Sequence, residues 1–318
     1  MRKRTLLSVI IAITTGVLTS CIYNDYGQSI EKDPSGPTEE KDVKFLSNIF
    51  RIIPSSSRLI GGDEWQSGDA IGVYMLEKHN HDIAEDKSNV QYITEKGGYV
   101  GNFIAKSSFI EFPEDGRDVR FMSYYPYDKS VINSVYKIDV SKQYPQSDLD
   151  FFYSFETQNT YNKDLETKKI PISFTNQMTK MLIHIRNGND LLGYHLADMK
   201  VYLSGLSTYA DFDLLSGKMT NYTGTSPIHP SRLIAGNGNV YTGEAVIIPE
   251  SNLSDAKIVI DMNNGNANKE SDVYTWSLGR VLEKRKRYTY NITVNRSGIT
   301  VNSAIHNWNI SIPSQSEI

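Results

Sequence analysis

Cysteine is nearly absent from this sequence: among 318 residues the only one is Cys21. No disulfide can form within the chain, so an exported protein of this sequence must draw its stability from burial. The apolar run at the start, Leu6 to Val17, falls short of the ~20 residues that a permanent bilayer span requires. Positive charge is not in excess either. Lys+Arg number 33 against 37 Asp+Glu, a formal net charge of −4, and three of the cations are Arg2, Lys3 and Arg4. Such a balance gives no electrostatic footprint for nucleic acid. There is no Gly-x-Ser-x-Gly elbow and no glycine-rich phosphate loop, and no cysteine beyond position 21 could serve as a nucleophile. No stretch keeps a helical period for three turns; Asp190 to Asp198, the nearest candidate, is interrupted by Gly193.

What is present begins with Cys21 itself. It closes Leu18-Thr19-Ser20-Cys21 behind a basic start and a short apolar run, the pattern of a cleaved bacterial lipoprotein signal. The Cys21 thiol is then the acceptor for a diacylglyceryl group, and more than one acyl chain gives a stable anchor in the outer membrane. Residues 1–20 read as the signal and 21–42 as a polar tether, with Pro34, Gly36 and Pro37 and no face to bury. Beyond it, 20 tyrosines, 11 phenylalanines and abundant Val, Ile and Thr favour pleated surfaces over helices.

Strand-like runs follow one another at sandwich spacing. The first is Val43 to Ile53, stopped by Pro54. Next come Trp65 to Met75, with Ile71, Val73 and Met75 on one face, then Tyr99 to Phe103, Val119 to Tyr125 and Val135 to Val140. A charged stretch, Thr157 to Lys169, suggests a boundary, giving an N-terminal β domain at 43–165 and a C-terminal one at 166–318. In the second half Met181, Ile183 and Ile185 alternate, as do Tyr288, Tyr290, Ile292 and Val294, and a last strand reads from Ile299 to Ile312.

Five strings stand in order: Trp65-x-x-Gly68-Asp69-x-Ile71-Gly72-Val73, Phe121-x-x-Tyr124-x-Pro126, Asp148-x-Asp150-Phe151, Ile172-x-Phe174-x-Asn176-x-Met178-x-Lys180, and Tyr288-x-Tyr290-x-Ile292-x-Val294 with Ile305-x-x-Trp308. Behind a lipoprotein signal this chain resembles the fimbrillin-like (Mfa-like) family of Bacteroidales surface proteins, precursors of type V pilus subunits. One departure is Asn176, where the family usually shows a histidine. The resemblance implies an all-β fold of two tandem β-sandwich domains of transthyretin-like topology. It also implies a stalk or tip subunit at the cell surface whose partners are other pilus subunits. In that family an arginine-directed protease removes the first strand, and the opened groove accepts an extended segment of a neighbour by β-augmentation. Carried onto this sequence, Arg58 is the candidate processing site, Arg51 a poorer one inside the strand, and Ile310 and Ile312 mark the candidate donor strand. The alternatives are an ordinary loop arginine, a plain edge strand, and a monomeric surface lipoprotein that binds a glycan or a host protein.

No enzyme, cofactor or metal site is expected. Asp148 and Asp150 read as two acids on one strand face without a second acid cluster to define roles. Asp211 and Asp213 read as punctuation before a turn. His79 and His81 lie in a polar loop, fewer than the three protein ligands of a catalytic zinc, and His184 is expected to face solvent. Lys284 to Arg287 reads as a charged approach to a strand, and 263–268 as a hairpin loop. Trp65, Trp276 and Trp308 are expected in the core rather than on a sugar-binding platform.

Overall fold

The computed structural model describes residues 42–48, 65–98, 100–155, 160–164, 169–191, 196, 199–231, 233–235, 240–250, 253–262 and 273–308. Nearly all of the ordered elements are strands, in agreement with the β-rich composition; the helical pieces are short 3-10 turns such as Gln146–Leu149 and Asn189–Leu191.

The first nine strands are β1 (Lys44–Asn48), β2 (Ala70–Glu77), β3 (Val90–Thr94), β4 (Val100–Ala105), β5 (Val119–Tyr125), β6 (Val135–Asp139), β7 (Phe152–Phe155), β8 (Lys169–Ser173) and β9 (Thr175–Asn176). All but β6 join one eight-stranded sheet in the order β8-β1-β4-β3-β2-β5-β7-β9. Its two edges, β8 and β9, are separated in sequence by Phe174 alone. Consecutive Cα atoms lie about 3.8 Å apart, so the edges must come together and the sheet must curl. Curling creates an inside, filled by Phe45, Trp65, Ile71, Val73, Met75, Tyr92, Phe103 and Phe121. Trp65 packs edge-on against Phe103 at 4.7 Å and Tyr125 at 5.3 Å. Gly101 carries no side chain where one would collide with Trp65 and Phe103.

The outside of β2 and β5 is also covered. Tyr74, Leu76, Met122 and Tyr124 alternate with the inward residues and enter a second, larger core. The continuous burial from Ile71 to Leu76 is the result: the strand is apolar on both faces because neither meets water.

That second core is shared by three further sheets. They are built from β10 (Thr179–Asn187), β11 (Lys200–Ser204), β12 (Tyr209–Asp213), β13 (Lys218–Thr223), β14 (Ile234–Ala235), β15 (Tyr241–Ile247), β16 (Lys257–Asp261), β17 (Val273–Ser277), β18 (Lys286–Asn295) and β19 (Gly298–Asn307). The orders are β14-β15-β10-β18-β19, β11-β16-β17 and β13-β12-β6. Met181, Ile183 and Ile185 of β10 are fully buried, and Tyr288, Tyr290, Ile292 and Val294 of β18 nearly so. Each of the buried Met, Ile and Val side chains contributes about 1.5–3 kcal/mol by leaving water. The expected alternation is therefore real on both strands.

Sheet membership crosses the expected division at 165/166. β8 and β9, placed by sequence order in the C-terminal half, complete the first sheet. β6, from the N-terminal half, pairs antiparallel with β12. Strand pairing is a long-range choice that a local charge run does not encode. The described residues from Asp42 onward belong to one compact unit.

Candidate functional site

The seat of β1 is the site that the fold builds most completely. β1 lies between β4, antiparallel, and β8, parallel, so Phe45 stands opposite Phe103 on one side and alongside Ile170 on the other. Strand alternation turns Val43 and Phe45 inward, and both are fully buried. Phe45 meets Tyr92 edge-on at 4.8 Å and Phe121 at 5.2 Å. Val43 donates its N–H to the Ile110 carbonyl at 3.0 Å. Tyr92 ties the entrance together: its hydroxyl accepts the Ile110 N–H at 3.0 Å and donates to Asp42 Oδ1 at 3.4 Å. Burial pushes the Tyr92 phenol well above its ordinary pKa, so it remains a neutral donor and acceptor. The seat thus offers main-chain partners on both sides and pockets for two side chains two residues apart. Its chemistry is that of holding an extended peptide.

Several residues flagged in the sequence lie outside the described residues: Cys21, Arg51, Arg58, Ile310 and Ile312, together with 263–268. The described part of the first strand is Lys44–Asn48, and the last strand is described to Asn307.

The other flagged residues fall as follows. Asp148 sits in a 3-10 turn and Asp150 just after it, not on one strand face. The Pro145 carbonyl accepts the Asp148 N–H at 3.3 Å and closes the turn that alternation could not foresee. Asp150 instead accepts a long 3.4 Å contact from Asn176, the position of the family's usual histidine, and Asn176 Oδ1 accepts the Met178 N–H. Asp211 is held by Lys137 and Asn221. Asp213 takes the N–H groups of Leu215 and Ser216, capping its turn as expected. Both carboxyls are held below the ordinary range, Asp211 chiefly by hydrogen bonds from Asn221 and Lys137, and Asp213 by its turn bonds against the opposing effect of burial.

His79 and His81 are exposed, and no group of three or more metal-ligating side chains occurs among the described residues. His184 is half-buried rather than solvated; it shares a 2.8 Å hydrogen bond with Thr242, and desolvation lowers its pKa. Beside it a sequence reading missed Lys180–Glu244, an ion pair of 2.6 Å with side chains 17% and 6% exposed. Of the tryptophans, Trp65 is core, Trp308 is half-buried with the Lys180 ammonium 5.9 Å from its ring, and Trp276 is 38% exposed. Trp276 departs from expectation because β17 is the edge of its sheet.

Tyr92 and Ile110 were missed as well. Ile110 lies in irregular chain with no period to flag it. The signal that was available is the pair Val43-x-Phe45.

A curled sheet completed by the first described strand, beside further sheets around a shared core, defines an all-β sandwich protein. The chain belongs to the fimbrillin-like family, whose model matches residues 57–308. It is similar to a candidate fimbrium subunit, Fim1C, of Bacteroides uniformis, 28% identical over 256 residues, which are 77% of this chain and 78% of that protein. Among solved structures it resembles a candidate cell adhesion protein from Bacteroides uniformis. The identity is 25% and the TM-score 0.65, over 86% of this chain and all of that one. A candidate cell adhesion protein from Bacteroides ovatus shares the fold at 20% identity and a TM-score of 0.61, over 85% of this chain and 99% of that one.

Proposed function

We propose that the protein is a subunit of a cell-surface pilus, delivered to the outer membrane as a precursor lipidated at Cys21 and assembled by exchange of β1. The observation that carries this reading is the seat of β1 in a chain of the fimbrillin-like family. The strand is buried on its inner face, yet it is joined to the rest of its sheet by hydrogen bonds and pockets rather than by a hairpin with either neighbour. The family match begins at residue 57, past β1 and one residue before Arg58. An arginine-directed protease cutting after Arg58 would part residues 42–48 from everything that follows Trp65. The vacated edges of β4 and β8 would then be an unprotected template for strand addition. A segment such as that bearing Ile310 and Ile312, from another subunit, has the alternation needed to fill it.

N-terminal sequencing of filaments sheared from the cell surface tests this, and Leu59 is the expected first residue. Recovery of lipid-modified Cys21 alone, with no filament, would leave a permanent surface lipoprotein. The completeness of the first sheet with β1 in place is what favours that second reading.

A further inference from the structure

The hairpin of β12 and β13 is irregular on one strand only. Tyr209 pairs with Thr223 and Asp211 with Thr220, so β13 carries one residue more than β12 between those rungs. Asn221, at φ +52, absorbs it, and its side-chain amide donates to Asp211 Oδ2 at 2.9 Å. A bulge of this kind re-aims the next side chain. Here Tyr222 is returned to the face of Phe212 and Met219, where a cleft of 270 Å³ opens between the hairpin and the turn leading to β18. Tyr222 remains 44% exposed, its ring available as a platform.

Two ionisable groups and one amide face the same space. Glu250 Oε1 accepts the Ser207 N–H at 2.7 Å, and Lys284 donates to Gln177 Oε1 at 3.0 Å. Glu250 is half-buried, whereas Lys284 is exposed. Desolvation raises the Glu250 pKa and lowers that of Lys284. Burial is also the main reason that the Tyr222 phenol is raised, and the Glu250 charge adds to it, so ring and carboxylate feel one another across the cleft.

Size and chemistry select the occupant. The volume lies just below the ~300 Å³ at which pockets for larger ligands begin, room for about one ring. One carboxylate and one ammonium leave the site with little net charge, which favours a neutral guest over an anionic one. Acceptor and donor together match neighbouring hydroxyls, and an aromatic face matches the C–H face of a sugar. A peptide adding to β13 fits less well, because the bulge interrupts the ladder on which strand addition depends.

We propose that this cleft binds one neutral pyranose unit of a glycan, its apolar face on Tyr222 and two neighbouring hydroxyls between Glu250 and Lys284. The site does not involve β1 and stands whether or not that strand is exchanged.

The full chain in detergent, applied to an array of neutral, sialylated and sulfated glycans and to a library of extended peptides, tests it. Glycans ending in neutral hexoses should bind. Tyr222→Leu and the nearly isosteric Glu250→Gln should each weaken that binding about tenfold or more, while Tyr144→Ala, a change at another exposed tyrosine, leaves it unchanged. Thermal melting confirms that each variant is folded. Absence of neutral-glycan binding, binding confined to acidic glycans or peptides, or neutral-glycan binding that survives both cleft substitutions in folded protein would overturn it.

Discussion

In the curled eight-stranded sheet the chain's first described strand is an interior strand, paired on both sides; in the five-stranded sheet the last described strand, β19, is an edge paired on β18 alone. The side chains follow suit. Val43 and Phe45 are fully buried, whereas β19 is half-buried or exposed along its whole length, with Ile305 46% exposed. The two ends of the fold therefore carry different energies. Loss of β1 opens a sheet and a core together, while changes on the outer side of β19 touch neither. An exchangeable strand has to be the costly one, because only a seat that is unstable when empty drives a replacement into it.

The largest test of this contrast is removal of the first strand. Residues 59–318 produced alone should show a much lower thermal midpoint or should self-associate, and a synthetic peptide spanning 42–53 should restore the midpoint in a concentration-dependent way. A truncated chain as stable as the intact one, with no response to peptide, would erase the distinction. Next in size, Phe45→Ala should destabilise by about 3–5 kcal/mol through the cavity it leaves. Ile305→Ala on β19 should stay within about 0.5 kcal/mol. Denaturant unfolding of both variants gives the ratio directly.

The five-stranded sheet has its own point of weakness, away from its edge. Lys180→Met would leave Glu244 buried without its cation, for an expected loss of about 3 kcal/mol. The double variant Lys180→Met/Glu244→Gln should recover much of it; equal losses in single and double variants would show that packing rather than charge is at stake. The smallest expected effects come with alkaline pH. Tyr92, Tyr124, Tyr136 and Tyr153 are raised by burial above the ordinary 10.0, and Tyr290 is pushed up to about 12. Raised folded-state values mean that this contribution is fully present below pH 10 and is lost as pH rises toward the folded values. Most of these rings line or flank the curled sheet, so Tyr92→Phe should blunt the alkaline loss more than any substitution on β19.

Alternation was legible where one face of a strand is buried and the other is not. Met181-x-Ile183-x-Ile185 and Tyr288-x-Tyr290-x-Ile292-x-Val294 announce themselves because period two is the geometry of a strand. Strand β2 was half legible: Ile71, Val73 and Met75 point inward as their spacing says, but Tyr74 and Leu76 are equally buried because another sheet covers the second face. Partners were not legible at all. Nothing within Val135–Asp139 says that it will pair with Tyr209–Asp213, since a strand's neighbour is chosen by the whole chain. Asp148 and Asp150 show the converse error, local alternation taken for a strand where a turn forms. The cleft beside Tyr222 was hidden for a related reason: a bulge depends on the register of two strands, and neither alone reveals it.

The parallel pairing of β1 with β8 carries a consequence for how the chain is made. β1 has its second neighbour at Lys169–Ser173, so it cannot be fully placed until that distant segment is available to it. During that interval β1 must wait, extended and unpaired on one side, and contacts so distant in sequence form slowly. The first described strand depends on a distant partner, and the same remoteness that delays its pairing leaves it without a hairpin to hold it in place.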